Sequence, residues 1–462
     1  MGISNTKLTK KSDKNNQDYY VFNGMVNGIK LNFNIFINKS GTDTIYKLSY
    51  KDNDGKWVNN SASARIDGDS YCLGCFEING NYYEIILRYD SDSSSFTKAE
   101  VHLRNEMIES ASKIAECLSD YEKSQITTDS VMSWAIQFGK DAQFMLEETA
   151  HFIDKIYFSK SKVKEILEKW ILKLKKDFDS WDSFLKDVLF INTQNGNDGE
   201  EKSQNAFYRI ISDIIKDKTD GKSIDDYKEE TKKVYVYADD ILASGKTLRE
   251  GVVNSIKELD KRYCCWIICC HSIQKTKTLN SIVKEVTGSF EDSIFKDNLK
   301  KNFRCEYMIE NGSRNGGKND YMNQLFNCIE PLDSDLSREV MSSNEMFGSV
   351  DSSVDDPVHL LTDSEIGEER FFTNYENRKR YTELILKASN MLLEEFLEEF
   401  RKKNSKKGYK EYKPLGITNA SDKSLGLGTL FITWRNIPNN CPYAFWGDIN
   451  GWKPLCPRNK TK

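Results

Sequence analysis

The chain has no surplus of positive charge. Its 462 residues include 66 Lys and Arg against 71 Asp and Glu, which gives a formal net charge of −5. A protein that binds the phosphate backbone of a nucleic acid usually carries an excess of basic residues. The charge balance therefore argues against a chain built mainly to bind nucleic acid, and leaves open only a local basic groove.

Long hydrophobic runs and metal-ligand clusters are also missing. No apolar stretch approaches the roughly 20 residues that span a membrane, and no secretory signal is found, so we expect a cytoplasmic protein without a membrane partner. The 4 histidines are scattered, and beyond one CLGC the 11 cysteines show no zinc-ligand spacing. We therefore expect no metal site formed by protein side chains alone.

The N-terminal quarter predicts a β domain behind a short tail. Residues 1–17 are polar and predict a disordered tail. Residues 18–104 predict an antiparallel β domain, because LNFNIFI alternates in polarity and Asn-Gly and Asp-Gly pairs mark the turns. No motif in this domain carries chemistry, so we expect it to serve recognition or docking.

Residues 105–458 predict an α/β domain with a helical first part. The apolar strands VLFIN (188–192), VYVYADD (234–240) and YCCWIICC (263–270) alternate with amphipathic helices. This alternation is typical of a parallel sheet with flanking helices. Residues 313–363 are polar and predict a loop-rich insert, and the Trp- and Pro-rich C-terminal segment is expected to fold back onto the core.

The stretch VYVYADDILASGKTLREGV, residues 234–252, supports two interpretations. YADD (237–240) is the aspartate signature of reverse transcriptases, which hold two Mg²⁺ with acids on a tight hairpin. However, a small-residue turn and an amphipathic helix follow YADD here, where a polymerase needs a return strand. A reverse-transcriptase-like polymerase is therefore the minor alternative.

The second interpretation is a cradle for a phosphate and a ribose. A small-residue turn between a strand and a helix points successive backbone N–H groups at one spot, and the helix N-terminus adds partial positive charge. Asp239 and Asp240 close the strand, where carboxylates can accept hydrogen bonds from ribose hydroxyls. The turn consists of Ala243, Ser244, Gly245, Lys246 and Thr247.

DDILASGKTL resembles the motif with which phosphoribosyltransferases bind 5-phosphoribosyl-1-pyrophosphate (PRPP). That motif is an apolar strand, two acids, two apolar residues, then small-Ser/Thr-Gly-x-Thr. The resemblance implies a type I phosphoribosyltransferase-like parallel sheet. It implies that Asp239 and Asp240 face the ribose hydroxyls as catalytic residues and that the five turn residues wrap the 5-phosphate. Mg²⁺ would arrive with PRPP and lie near the two aspartates.

The loop after VLFIN is placed where the family binds pyrophosphate. Its candidate residues are Gly196, Gly199, Lys202 and Ser203. No hood for a base is identifiable, so binding of PRPP or a nucleotide is better supported than catalysis. A phosphoribosyltransferase and a non-catalytic module that senses PRPP or a nucleotide both remain open.

A narrower resemblance covers more of the chain. WAIQF (134–138), VLFIN, the PRPP motif and the ending IPNNCPYAFWGDINGWKPLCPR are together similar to the phosphoribosyltransferase-like domain of bacterial conflict systems. The resemblance implies an effector of an anti-phage system associated with retrons. It implies a partner such as a reverse transcriptase with its non-coding RNA. The acceptor, the trigger and the oligomeric state do not follow from the sequence.

Overall fold

The protein has a mixed α/β architecture. The computed structural model describes residues 3–14, 17–40, 43–52, 54–62, 64–191, 203–227, 234–242, 248, 264–272, 304–310, 329–330, 332–343, 360–362, 369, 371–403, 412–417, 425–426 and 428–458. Over these ranges, antiparallel strand pairs outnumber parallel ones. No helix in these ranges is both long enough and apolar enough to cross a membrane.

The N-terminal region forms two five-stranded antiparallel sheets. One has the order β1-β10-β9-β8-β7 and the other β2-β3-β4-β5-β6. The strands are β1 Ile3–Lys7, β2 Thr9–Ser12, β3 Asp18–Val26, β4 Ile29–Ser40, β5 Asp43–Lys51, β6 Trp57–Ala62, β7 Arg65–Asp67, β8 Ser70–Ile78, β9 Asn81–Asp90 and β10 Ser95–Leu103. Alternate residues of both sheets form one hydrophobic core, in which the rings of Phe22 and Phe33 stack with centroids 4.6 Å apart.

Strands β1 and β2 correct one expectation. Residues 1–17 were predicted to be a disordered tail, but β1 pairs with β10 and β2 pairs with β3, both antiparallel. The side chains of β2 are exposed, which is why the sequence looks like a tail. Pairing of backbone N–H and C=O groups with a neighbouring strand does not require apolar side chains, so hydropathy alone misses it.

A helical layer follows the β region. Its helices are α1 Ile108–Cys117, α2 Thr128–Ala135, α3 Ala142–Ile156, α4 Lys160–Lys175 and α5 Trp181–Asp187, with short 3-10 helices at Asn105–Met107 and Ile136–Asp141. Thr127 begins α2 with a reciprocal capping box, and Ser159 caps α4. Of the aromatic residues that repeat at helical spacing here, Trp134 and Phe152 are fully buried, and Phe138 and Phe144 are partly buried against the same core.

Four parallel strands carry the candidate site. They are β12 Val188–Ile191, β13 Val234–Leu242, β14 Cys264–Ser272 and β15 Arg304–Glu310, and they lie side by side in this order. Helix α6 (Ser203–Lys218) connects to a 3-10 helix at Ile224–Tyr227 and packs against β13. Its buried residues, including Phe207 and Ile211, form the apolar stripe that its sequence period predicts.

The C-terminal part folds back onto the helical layer. Its elements are α7 Asp335–Ser343, α8 Tyr375–Lys403, β16 Ile432–Thr433, which pairs in parallel with β11 Tyr157–Phe158, and α9 Tyr443–Trp446. Helix α7 lies inside the segment that composition predicts as loop-rich. Trp134 and Trp452 both donate their indole N–H groups to the carbonyl of Ala444, at 2.9 and 3.1 Å. The Trp-rich segment is therefore core, as expected.

Candidate functional site

The YADD residues lie inside a strand that is paired on both sides. Strand β13 is hydrogen-bonded in parallel to β12 and to β14, with Tyr237 opposite Ile191 and Ile267. The strand runs two residues past Asp240, to Leu242. A polymerase needs this motif on an antiparallel hairpin, and YADD occupies the middle of a parallel sheet instead.

Asp239 is buried and accepts three hydrogen bonds from its own chain. The hydroxyl of Ser203 donates to Oδ1 at 2.6 Å, and the hydroxyl of Tyr237 donates to Oδ2 at 2.6 Å. The backbone N–H of Asp240 also donates to Oδ1, at 3.0 Å. A carboxylate offers about four acceptor positions. Asp239 therefore has most of its acceptor capacity filled by the protein.

A second contact ties the same helix to the same strand. The side-chain amide of Gln204 donates to the hydroxyl of Tyr237, which in turn donates to Asp239. Gln204 and Tyr237 are almost completely buried. Chains of buried hydrogen bonds are stronger than isolated ones because each bond polarises the next. The first residues of α6 are thus fixed against the end of β13.

Asp240 is a weaker acid than an ordinary aspartate. It is 9% exposed, and burial, the charge of Asp239 and a hydrogen bond to Asp239 raise its pKa from 3.8 to about 8. Two adjacent carboxyls in a buried place cannot both ionise easily. Asp240 therefore retains its proton at neutral pH, where its carboxyl is hydrogen-bonded to Asp239.

Two arginines of the C-terminal segment lie within electrostatic reach of Asp240. The positive charge of Arg435 partly offsets the rise in the pKa of Asp240. Arg458, whose own pKa is lowered by burial, interacts with the same carboxyl and stacks 5.0 Å from the ring of Trp446. Sequence reasoning missed both. The only signal was the presence of two arginines, in TWRN and CPRN, within a segment that is otherwise apolar.

Arg435 lies next to a tryptophan that packs against α6. It is almost fully buried, and the preceding Trp434 packs against Phe207 of α6 with ring centroids 5.7 Å apart. The indole N–H of Trp434 donates to Glu122 at 3.0 Å. The C-terminal segment therefore contacts the same helix that Ser203 and Gln204 fix to β13, and brings its cation to the acidic pair.

Only some of the site residues predicted from sequence fall within the described ranges. Asp239, Asp240 and Ser203 do, and the fold brings them together. The remaining candidates of the two loops lie outside those ranges: Gly196, Gly199, Lys202, Ala243, Ser244, Gly245, Lys246 and Thr247. Where side chains are described, no group of three or more His, Cys, Asp and Glu could hold a metal ion.

Comparison with known families agrees with this geometry. A model of the PRTase-CE family matches residues 131–458, which is well over half of the chain. The chain belongs to the PRTase-CE family. The match supports a phosphoribosyltransferase-like domain over these residues and starts inside α2, after the β sheets of the N-terminal region. No curated protein and no solved structure matches the chain significantly.

Proposed function

We propose that the chain binds PRPP, or the ribose 5-phosphate part of a nucleotide, at the carboxyl end of β13. One observation carries the proposal: the 2.6 Å hydrogen bond from Ser203 to Asp239. It joins Ser203, the last residue of the candidate pyrophosphate loop and the first of α6, to the acidic pair of the PRPP motif. A ligand with phosphates at one end and ribose hydroxyls at the other needs these two elements side by side.

The two aspartates take different roles in this proposal. Asp239 positions the site, because the protein already supplies three of its hydrogen bonds. Asp240 makes the contact with the ribose hydroxyls, because its charge is stabilised only in part by the protein. This differs from the expectation that both acids face the ribose alike.

Magnesium fits the site only together with the ligand. Two adjacent carboxyls and phosphate oxygens are the hard oxygen ligands that Mg²⁺ prefers, and Mg²⁺ is usually held by one or two carboxylates plus substrate phosphates. The raised pKa of Asp240 marks a negative charge that the protein compensates incompletely and that a cation would relieve. Asp240 is the residue that would hold the ion, and the ion would neutralise charge on the phosphates.

The reaction class that follows is transfer of ribose 5-phosphate from PRPP to a nitrogen nucleophile, with pyrophosphate as the leaving group. In such a transfer the residues of this chain bind and orient the ribose. The positive charges of Arg435 and Arg458 stabilise the ionised form of Asp240. A non-catalytic sensor of PRPP would use the same site. Release of pyrophosphate from PRPP distinguishes the two, because only the transferase produces it.

We further propose a place for this activity in bacterial anti-phage defence. The support is the similarity to phosphoribosyltransferase-like domains of conflict systems, together with membership of the PRTase-CE family. A reverse transcriptase with its non-coding RNA is the partner that this similarity suggests. Plating of phages on cells that carry the gene in its native cluster tests the role: Asp240→Asn should abolish any protection that the unmodified cluster provides.

The test of binding is titration calorimetry of the full chain with PRPP and Mg²⁺. We expect saturable binding, lost in Asp240→Asn and retained in Asp213→Asn, which removes one exposed carboxylate from α6. Repeating the titration at pH 7 in buffers of different ionisation enthalpy should show release of up to about one proton, because the ligand favours the charged form of Asp240. Absence of binding at millimolar PRPP, or equal binding by Asp240→Asn, would refute the proposal.

A further inference from the structure

A large cleft lies between the N-terminal sheets and the C-terminal part of the chain. It has a volume of about 1510 Å³ and shares no residue with the aspartate site. One wall is formed by strands β3–β5 and β7–β10, and the other by α8 and by residues 448–452. Pockets for small ligands are usually about 300–1,000 Å³. This cleft is therefore large enough for a segment of polypeptide.

Aromatic rings form the wall on the side of the sheets. Tyr46, Tyr71, Tyr89 and Phe96 contact one another with ring centroids 5.0 to 6.3 Å apart. Tyr46 and Phe96 are buried, whereas Tyr71 and Tyr89 are partly exposed and are therefore the rings that a ligand could contact. The face of an aromatic ring attracts Lys and Arg cations.

Carboxylates form the opposite wall. Glu395 of α8 and Asp448 line the cleft, and Glu394 and Glu398 stand next to Glu395 on the same helix. Burial raises the pKa of Glu395, and repulsion from Glu394 and Glu398 adds to the rise, while a hydrogen bond with Asn450 and the charge of Arg65 offset only part of it. The negative charge at this wall is therefore incompletely neutralised, and a cation in the cleft would relieve it.

The basic groups around the cleft are already engaged. Arg65 donates to the carbonyl of Gln137 at 2.7 Å and lies 5.2 Å from the ring centroid of Trp452. Lys10 pairs with Asp18 at 2.7 Å, and Lys453 is close to Asp448 but largely buried. Among the residues that line the cleft, the three acids Asp18, Glu395 and Asp448 outnumber the one base, Arg65. Phosphate groups of a nucleic acid would be repelled.

We propose that the cleft binds an extended basic segment of a partner protein, with Lys or Arg side chains held between the tyrosine rings and the carboxylates of Glu395 and Asp448. Apolar side chains of the same segment would cover Ile45 and Ile66, which are 40% and 58% exposed at the strands that line the cleft. This assigns a docking surface to the N-terminal region, which the family match does not cover.

The test uses fluorescence polarisation with labelled peptides of about ten residues that repeat Arg-Leu-Ser. Matched peptides carry Gln or Glu in place of Arg. At near-physiological salt we expect the Arg peptide to bind at least about tenfold more tightly than the Gln peptide, and the Glu peptide not to bind. Failure of the Arg peptide to bind at millimolar concentration would overturn the proposal, and so would tighter binding of a single-stranded oligonucleotide.

Substitutions test whether the Arg peptide binds in the cleft. Glu395→Gln combined with Asp448→Asn should weaken the Arg peptide by roughly tenfold or more. Glu165→Gln combined with Asp213→Asn removes the same charge from exposed faces of α4 and α6 and should leave binding unchanged. Ile66→Arg, at an exposed position, should weaken binding without affecting folding. Equal affinities of the cleft and control variants would show adsorption to the acidic surface at large and refute the docking site.

Titration of the same variants with PRPP distinguishes the docking proposal from the proposal of PRPP binding. The cleft variants should retain any PRPP binding, because no cleft residue contributes to the aspartate site. Loss of peptide binding with retained PRPP binding supports the cleft as a separate site.

Discussion

Asp240→Asn should make the protein more stable at neutral and alkaline pH. The folded pKa of Asp240 is about 8, whereas an unfolded aspartate titrates near 3.8. Between these values the unfolded chain has lost the proton and the folded chain still binds it, so stability falls as pH rises. Ionisation of Asp240 therefore costs nothing below about pH 4 and an increasing amount of free energy between pH 4 and pH 8. Above about pH 8 both states are charged and the penalty is constant.

The magnitude follows from the pKa shift. Each unit corresponds to about 1.4 kcal/mol, so the shift sets an upper limit of about 5–6 kcal/mol. Part of this shift comes from the hydrogen bond to Asp239, which favours the protonated carboxyl and is kept in the amide variant. We therefore expect a gain of about 2–3 kcal/mol for Asp240→Asn at pH 8. The amide can still donate a hydrogen bond to Asp239, as the protonated carboxyl does.

Urea denaturation followed by tryptophan fluorescence at several pH values between 5 and 9 measures this effect. The difference between Asp240→Asn and the unmodified protein should grow from pH 5 to pH 8 and then level off. Asp213→Asn, at an exposed position of α6, is the control and should show no such trend. A difference that does not depend on pH, or a less stable Asp240→Asn protein at pH 8, would refute the assignment of the buried proton.

Three further substitutions test individual contacts. Ser203→Ala removes a hydrogen bond to a carboxylate and should cost about 1–2 kcal/mol in urea denaturation and weaken PRPP binding in calorimetry. Gly416→Ala should lower the melting temperature strongly, because its φ is 113° and a Cβ there would lie 1.8 Å from a backbone oxygen. Gly221→Ala is the control: Gly221 also has a positive φ, but a Cβ there would meet no atom within 4 Å, so the effect should be smaller. Arg435→Gln should raise the pKa of Asp240 further, so that the pH at which stability levels off moves upward.

The sequence by itself determined the elements around the site. The apolar runs at 188–192, 234–240 and 263–270 became β12, β13 and β14, because continuous apolar strands suit a sheet covered on both faces. The period of α6 and the paired acids near the end of β13 could also be predicted from the sequence. These signals are local, since each depends only on residues close together in the chain.

Tertiary structure decided how these elements meet. The contact of Ser203 with Asp239 spans 36 residues, and Arg435 reaches Asp240 from the far end of the chain. The spacing of apolar residues along the chain cannot predict such long-range contacts, because they depend on how helices and loops pack. The same reason explains the strands of residues 3–12, which are stabilised by backbone pairing with partners elsewhere in the chain. The raised pKa of Asp240 likewise arises from burial, which exists only in the folded chain.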